Sequence, residues 1–263
     1  MSYRAMNTWP KQQILTLIAI ALTFGSGAAD VASFTRLGSV FTSVMTGNIV
    51  LLGLAVAQGS LTLASHTVVS IGGYIAGVAG GTWIARGVKG REAGSGSGEA
   101  GVLPAHVTWV LLAELTLLAG FTAGWEVSGA SPAGWAQFGL LATLAAAMGV
   151  QSSAVKDMGL TEVSTTYLTG TLTGLVSSLA SPGQDTPHGL RRFGVLIGLV
   201  AGASLCGLFV ATAAAAVPAL PLAALVTTLV LATGPSGRRP RLRRRDAASG
   251  GSGMSLGGGS MSP

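Results

Sequence analysis

Hydrophobic residues fall into eight runs along the chain, separated by short polar or glycine-rich connections. Several runs approach the roughly 20 apolar residues that a helix needs to cross a bilayer. The pattern predicts an all-α, polytopic integral membrane protein in which residues 1–233 form the membrane domain. The predicted segments cover about residues 13–30, 42–58, 66–85, 105–124, 133–154, 163–180, 192–215 and 218–233.

The second and sixth segments carry a repeated motif. TSVMTGNIVLLGLAVA, Thr42 to Ala57, recurs 123 positions later as TTYLTGTLTGLVSSLA, Thr165 to Ala180, with a Thr-Gly pair in each copy. Duplication around interrupted apolar segments is how many transport folds are built. The sequence therefore predicts two internally related units, residues 13–85 and 133–215.

The two Thr-Gly motifs are candidates for one composite binding site. Glycine lets a backbone bend or be approached closely, and hydroxyl and amide groups have no hydrogen-bond partner in lipid. The alternative is a notch for helix packing, since Thr also hydrogen-bonds back to its own helix. The candidate substrate-binding residues of the motifs are Thr46, Gly47, Asn48, Thr169, Gly170 and Thr171.

The distribution of Lys and Arg distinguishes two topologies. If all eight segments cross, ten basic residues are cytoplasmic and five are outside. If the second and sixth segments re-enter and return to the same face, fourteen are cytoplasmic and only Arg36 is outside. The positive-inside rule favours this second scheme of six crossings, with both termini cytoplasmic and the two units forming an inverted repeat. A 16-residue helix spans about 24 Å, which is nearly enough to cross the membrane, so the alternative in which the two short segments cross is retained.

Glycines recur every four residues in the third and seventh segments. In lipid, small residues at this spacing let helix backbones approach and gain van der Waals contact. We interpret them as packing seams, with a pore-lining role as the alternative. The residues are Gly73, Gly77 and Gly81, and Gly194, Gly198 and Gly202.

Two parts of the chain lack the composition of a packed core. RGVKGREAGSGSGEAG, Arg86 to Gly101, predicts a flexible loop over residues 86–104. Residues 234–263 are basic and then rich in Gly and Ser, which predicts a disordered tail. Its arginines either bind anionic lipid or only fix the orientation. They are Arg238, Arg239, Arg241, Arg243, Arg244 and Arg245.

Three polar residues in or beside apolar segments are further site candidates. Glu114 stands near the middle of the fourth segment, where a charged side chain costs about 3 kcal/mol on insertion scales. The alternative is a carboxyl group kept neutral or hydrogen-bonded for packing. Asp30 ends the first segment and Gln151 lies at the matching place in the second unit. These two residues either cap helices or border the site.

Other chemistry has little support in the sequence. His66, His106 and His188 are scattered, without the paired spacing of a metal site, and no nucleophile elbow or phosphate-binding loop occurs. We therefore expect no enzyme activity and no cofactor. The single cysteine, Cys206, lies in an apolar segment and predicts packing. The net charge of +6 is attributed to topology signals, so nucleic acid is not an expected partner.

A family resemblance follows from two stretches. GAADVASFTRLGSVFTSVMTGNIVLLGLA and MGVQSSAVKDMGLTEVSTTYLTGTLTGL resemble the YoaK family of bacterial membrane proteins, a domain of unknown function (1275), over about residues 13–233. The resemblance implies a multi-pass protein of the bacterial inner membrane and implies no substrate.

Together, the repeat and the polar residues in or beside apolar segments favour a transporter or permease for a small solute or ion. The alternative is a non-transporting membrane scaffold or regulator whose tail recruits partners. The bilayer is the expected environment in both cases. The oligomeric state stays open, a homo-oligomer included.

Overall fold

The computed structural model describes residues 11–95, 102–158, 168–180 and 186–233. These residues form α-helices joined by short connections, and they contain no strand. The helices are α1 (Lys11–Arg36), α2 (Met45–Gln58), α3 (Leu61–Ser95), α4 (Ala105–Val127), α5 (Gly134–Asp157), α6 (Leu168–Ala180), α7 (Thr186–Thr212) and α8 (Ala219–Thr233).

Six helices of the described chain are long and apolar enough to cross a membrane. They are α1, α3, α4, α5, α7, and α8 together with the turn before it. Helices α2 and α6 are shorter, with 14 and 13 residues. The prediction of an all-α polytopic membrane protein with about six crossings and two short segments is thereby confirmed.

One end of the bundle, named here the Arg36 end, is defined by three polar contacts. Gln137 Nε2 donates to the carbonyl oxygen of Arg36 at 3.0 Å, and its Oε1 lies 3.3 Å from His66 Nε2. Trp125 Nε1 donates to the carbonyl oxygen of Ala214 at 2.9 Å. At this end of the bundle, α1 and α4 end, α3 and α5 begin, and the turn before α8 lies beside the end of α4.

The opposite end, named the Lys89 end, is held by charged groups. Lys89 Nζ lies 2.9 Å from Asp157 Oδ2, and His106 Nε2 lies 3.6 Å from the same oxygen. Val102 N donates to the carbonyl oxygen of Ala232 at 3.4 Å. The ends of α3, α5 and α8 therefore lie beside the start of α4.

The six long helices alternate in direction between these ends. Helices α1 and α4 run toward the Arg36 end, and so does α7, because Arg36 donates to the carbonyl oxygen of Val210 near its last turn at 3.0 Å. Helices α3, α5 and α8 run toward the Lys89 end. Exposed tryptophans lie near both ends of the bundle, with Trp135 near the Arg36 end and Trp83 and Trp109 near the Lys89 end. Tryptophan is enriched at both membrane–water interfaces.

Residues 37–60 leave the Arg36 end and return to it. The chain turns inward after α1, and Thr42 and Ser43 bond to Asp30, about 9 Å along α1 from Arg36 at 1.5 Å per residue. Helix α2 then runs back and stops at Gly59, whose positive φ of 64° suits glycine. Helix α3 starts two residues later. This path agrees with the re-entrant scheme rather than with a crossing by α2.

Helices α3 and α5 run side by side with their backbones in close contact. A Cβ atom on Gly77 would collide with the carbonyl oxygen of Ala146, and one on Gly149 would collide with that of Tyr74. Small residues allow this approach in lipid. The third-segment glycines therefore form a packing seam, as predicted.

Helices α1 and α7 pack in the same manner. A Cβ atom on Gly202 would collide with the carbonyl oxygen of Phe24, and one on Gly27 would collide with that of Leu199. The seventh-segment glycines are therefore also a packing seam. Cys206 is buried in α7, which agrees with its predicted packing role.

The flexible loop predicted for residues 86–104 is wrong in its first part. Helix α3 continues to Ser95, because Arg, Lys, Glu and Ala in this stretch are good helix formers and Lys89 pairs with Asp157. Val102 and Leu103, just before α4, are buried. Residues 96–101 and the predicted disordered tail, 234–263, lie outside the described residues.

Candidate functional site

Glu114 lies in the middle of α4, inside the bundle. Its side chain is 1% exposed, and the hydrogen-bonding atoms of the described residues leave its Oε2 without a partner. A buried polar atom without a hydrogen bond is costly and calls for an explanation. Glu114 is thus a predicted site residue with a carboxyl oxygen to which the fold supplies no hydrogen bond.

The Glu114 carboxyl group borders a small gap where α1, α4, α5 and α8 meet. The gap is too narrow to hold a water molecule. Apart from Glu114 and Gln151, its walls are apolar. The lining residues are Leu22, Gly25, Glu114, Met148, Gln151, Pro221, Ala224 and Leu225. The fold thus brings together two candidates that are 37 positions apart in the sequence.

Gln151 ties α5 to α1 at the edge of this gap. Its Nε2 donates to the carbonyl oxygen of Leu22 at 3.0 Å. Ser26 Oγ donates to the same carbonyl at 3.1 Å and lies 3.5 Å from Gln151 Oε1. Gln151 therefore borders the gap and is not a helix cap. Ser26 was not among the predicted residues, and its place in an apolar helix would have been the signal for it.

Asp30 holds the residues that precede α2. Its Oδ1 accepts from the backbone nitrogens of Thr42 and Ser43, each at 2.8 Å, and from Thr42 Oγ1 at 3.2 Å. Its Oδ2 accepts from Ser43 Oγ. Four donors thus converge on one buried carboxylate. These contacts resemble those of a helix cap. They engage both carboxyl oxygens of Asp30, so little hydrogen-bonding capacity is left for a solute.

Asn48 has a similar anchoring role. Its Oδ1 accepts from Phe41 N at 2.9 Å, and its Nδ2 donates to Phe41 O at 2.7 Å and to Ser70 Oγ at 3.1 Å. Ser70 Oγ also donates to Phe41 O. Both amide hydrogens of Asn48 are therefore engaged in this conformation. The side chain fixes the entry to α2 against α3.

The other motif residues differ in their exposure. Thr46, Thr169 and Gly170 are exposed, Gly47 is half-buried, and Thr171 is buried. Helix α2 packs chiefly against α3, and α6 packs chiefly against α7. A composite site between the two motifs stays a prediction.

No group of three or more His, Cys, Asp or Glu side chains in the described ranges is arranged to hold a metal ion. Inside the bundle, the carboxyl group of Glu114 and the amide group of Gln151 belong to residues that line the same gap. The carboxyl group can bind and release a proton, and both groups can accept or donate hydrogen bonds.

The architecture and the buried polar pair define a polytopic α-helical membrane protein with an ionisable group in its core. The chain belongs to the DUF1275 family, described as "Protein of unknown function", whose model matches residues 18–232. It is similar to the UPF0700 transmembrane protein YoaK of Bacillus subtilis (strain 168), with 32% identity over 165 residues that cover 63% of this chain and 67% of the relative. No solved structure matches it.

Proposed function

We propose that the protein is a transporter or permease for a small solute or ion in the bacterial inner membrane. The observation that carries the proposal is Glu114, buried mid-helix where four crossing helices meet and left with an unpartnered Oε2. Ionisable groups inside membrane proteins are costly and commonly mark substrate or proton pathways.

An inverted repeat is part of this proposal, and the helix contacts support it. The contact of Gly149 with Tyr74 corresponds to that of Gly27 with Leu199. Gly149 lies 122 positions after Gly27, and Leu199 lies 125 positions after Tyr74. The same two offsets relate the contacts of Gly77 and Gly202 with the carbonyls of Ala146 and Phe24. The matched helices run in opposite directions, as in many transport folds.

The contacts also refine the correspondence between the glycine seams. The sequence left the pairing of the two glycine runs open, and the contacts pair Gly77 with Gly202. Periodic glycines fit any shift of four residues equally well, so only the partner helix fixes the register. In this arrangement the gap at Glu114 is lined by residues of α1 and α5, which correspond to each other, and of α4 and α8.

The basic residues support an orientation with the Lys89 end in the cytoplasm. Among the described residues, Arg36 stands at the Arg36 end and the other Lys and Arg side chains belong to the Lys89 end. The positive-inside rule then makes both termini cytoplasmic. The residues at the Lys89 end are Lys11, Arg86, Lys89, Arg91, Lys156, Arg191 and Arg192.

Transport is tested with purified protein in liposomes. A broad screen of small solutes and ions measures flux, and a parallel screen measures ligand-dependent thermal stabilisation. Glu114→Gln should abolish or greatly reduce any flux, while Glu126→Gln, at the exposed end of the same helix, should keep it. Flux that is the same in both variants would contradict the assignment of the site to Glu114.

A second candidate is a membrane scaffold or regulator. The observation that favours it is the tight packing around Glu114, where the gap is too narrow to hold a water molecule. The basic tail would then recruit anionic lipid or partners. Absence of flux and of any stabilising solute across the screen would favour this candidate over transport.

A further inference from the structure

We infer that the ion bound at this site is a proton, and that Glu114 carries it in the closed conformation and releases it when α4 and α8 separate. This inference rests on the proposed transport function and names its coupling ion. The binding step is COO⁻ plus H⁺ giving COOH. The proton comes from water when the gap opens to one side, and it returns to water when the gap opens again.

The first argument is the lack of a counter-charge. No side chain that lines the gap from α1, α5 or α8 is basic, and Gln151 is the polar neighbour. An ionised carboxylate without a partner in a water-free interior is strongly disfavoured, whereas a neutral carboxylic acid is tolerated. The closed packing therefore fits the proton-bearing form of Glu114.

The second argument excludes larger ions. Ca²⁺ and Mg²⁺ take about six or more oxygen ligands, and a dehydrated alkali ion likewise needs oxygens in place of its hydration shell. The side chains around the gap supply oxygens only from Glu114 and Gln151. Gln151 is also tied to Leu22 and Ser26. A proton needs one oxygen and no volume.

Neighbouring titratable groups on the packed helices do not compete for this role. On α1, Asp30 is engaged by Thr42 and Ser43. On α4, His106 stands two turns before Glu114 and lies near Asp157 of α5. On α3, which also packs against α4, the titratable side chains that the structure describes are His66, Tyr74, Arg86, Lys89 and Arg91, and α8 has none in its sequence.

The helix contacts indicate where the gap can open. Backbones meet at glycines in the α3–α5 and α1–α7 pairs, so these pairs resist separation. Helix α8 approaches α1 less closely, because a Cβ on Gly25 would lie 3.1 Å from the Cβ of Ala224 and 3.6 Å from the Cα of Pro221. Leu225 of α8 is buried beside the gap. Movement of α8 from α4 would wet Glu114 and leave both glycine seams intact.

Infrared difference spectroscopy on the full chain in lipid nanodiscs tests proton binding directly. Wild-type protein should give the C=O stretch of a protonated carboxylic acid, shifted in D₂O, that titrates with pH. The band should be lost in Glu114→Gln and kept in Glu126→Gln. Glu114→Asp, which keeps a carboxylic acid, should retain a band at a changed frequency if the Gln variant does not fold. Absence of any band that depends on residue 114 overturns the inference.

Cysteine labelling tests the coupling between the proton and opening. In a Cys206→Ala background, Leu225→Cys should react slowly with a small neutral thiol reagent at low pH. Its rate, corrected for thiolate content, should rise about tenfold per pH unit when opening requires release of one proton. With Glu114→Gln added, the rate should stay low at every pH. In a parallel sample of wild-type protein, native Cys206, which is buried in the α1–α7 seam, should stay unlabelled at every pH and serves as the control.

The two tests separate this inference from transport itself. A titrating Glu114 band with pH-dependent labelling, but no flux of any solute, would support proton binding and contradict the transport function. Flux without a Glu114 band, or with labelling that is independent of residue 114, would support transport and overturn the proton assignment.

Discussion

Ser43 and Asp30 are joined by two hydrogen bonds, one from Ser43 N to Oδ1 at 2.8 Å and one from Ser43 Oγ to Oδ2. Thr42 adds two more donors to the same carboxylate. Together they bind the entry to α2 to the side of α1, inside the bundle. The short helix can then start at depth, because its preceding backbone nitrogens have partners where water is absent.

Replacing Asp30 should therefore destabilise the fold. Asp30→Ala leaves the backbone nitrogens of Thr42 and Ser43 without acceptors, and each such loss costs about 1–3 kcal/mol. We expect a clearly lower melting temperature in detergent. Asp30→Asn keeps one acceptor oxygen and should lose less. If Asp30→Ala melts as the wild type does, the anchoring role is wrong and Asp30 returns to the candidates for binding.

The glycine seams give a matched set of variants. Gly77→Leu and Gly202→Leu drive a side chain into a facing carbonyl. Since overpacking alone costs about 1–3 kcal/mol and backbone cannot easily give way, folded protein should be lost. Gly80→Leu is the control, because nothing lies within 4 Å of a Cβ atom at this position. Size-exclusion profiles after membrane extraction measure the outcome, and equal yields for Gly77→Leu and Gly80→Leu would contradict the α3–α5 contact.

The sequence predicted the long helices well because the bilayer imposes a length and an apolar composition on each crossing. Glu114 was identified for the same reason, since a carboxyl group is conspicuous in an apolar run. Its position at the same gap as Gln151 was not identified, because it depends on how α4 and α5 pack. The register of Gly77 against Gly202 needed three-dimensional contacts as well.

The roles of Asp30 and Asn48 show a second limit of the sequence. Both residues were candidates for a solute site, with capping for Asp30 and helix packing for Asn48 as the alternatives, and polar groups in lipid do need partners. The structure supplies those partners from Ser43, Thr42 and Phe41 of the adjoining chain. Sequence patterns indicate that a polar group needs partners but do not tell whether backbone, side chain or ligand provides them.

The orientation can be tested from outside the cell. With Cys206 replaced by Ala, Leu61→Cys should react with an impermeant thiol reagent in intact cells, because Leu61 is 84% exposed at the Arg36 end. Gly87→Cys, near the Lys89 end and in open space, should react only after the membrane is broken. The reverse result would put the Lys89 end outside, and protection of both cysteines would contradict exposure of Leu61 to the exterior.

The basic tail should bind anionic membranes. Each arginine near an anionic surface contributes about 1 kcal/mol, and six lie between Arg238 and Arg245. A peptide of residues 234–263 should bind vesicles containing phosphatidylserine over neutral ones at low salt, and a peptide with the six arginines changed to Gln should not. Deleting residues 236–263 should spare the membrane fold. If the peptide binds both kinds of vesicle equally, the arginines do not recognise anionic lipid and serve only to fix the orientation of the protein in the membrane.

A bulky side chain at the glycine of either Thr-Gly motif should block flux if both motifs border the solute path. At Gly170 nothing lies within 4 Å of a Cβ atom, so Gly170→Leu should fold normally and any loss of flux would come from the path itself. At Gly47 a Cβ atom would lie 3.2 Å from the Phe41 ring, so Gly47→Leu should combine lower flux with some loss of stability. Gly53→Leu, on the open face of α2, is the matched control and should transport as the wild type does. Once a transported solute is known, wild-type flux in Gly170→Leu would remove the second motif from the path and leave Glu114 and Gln151 as the candidate site.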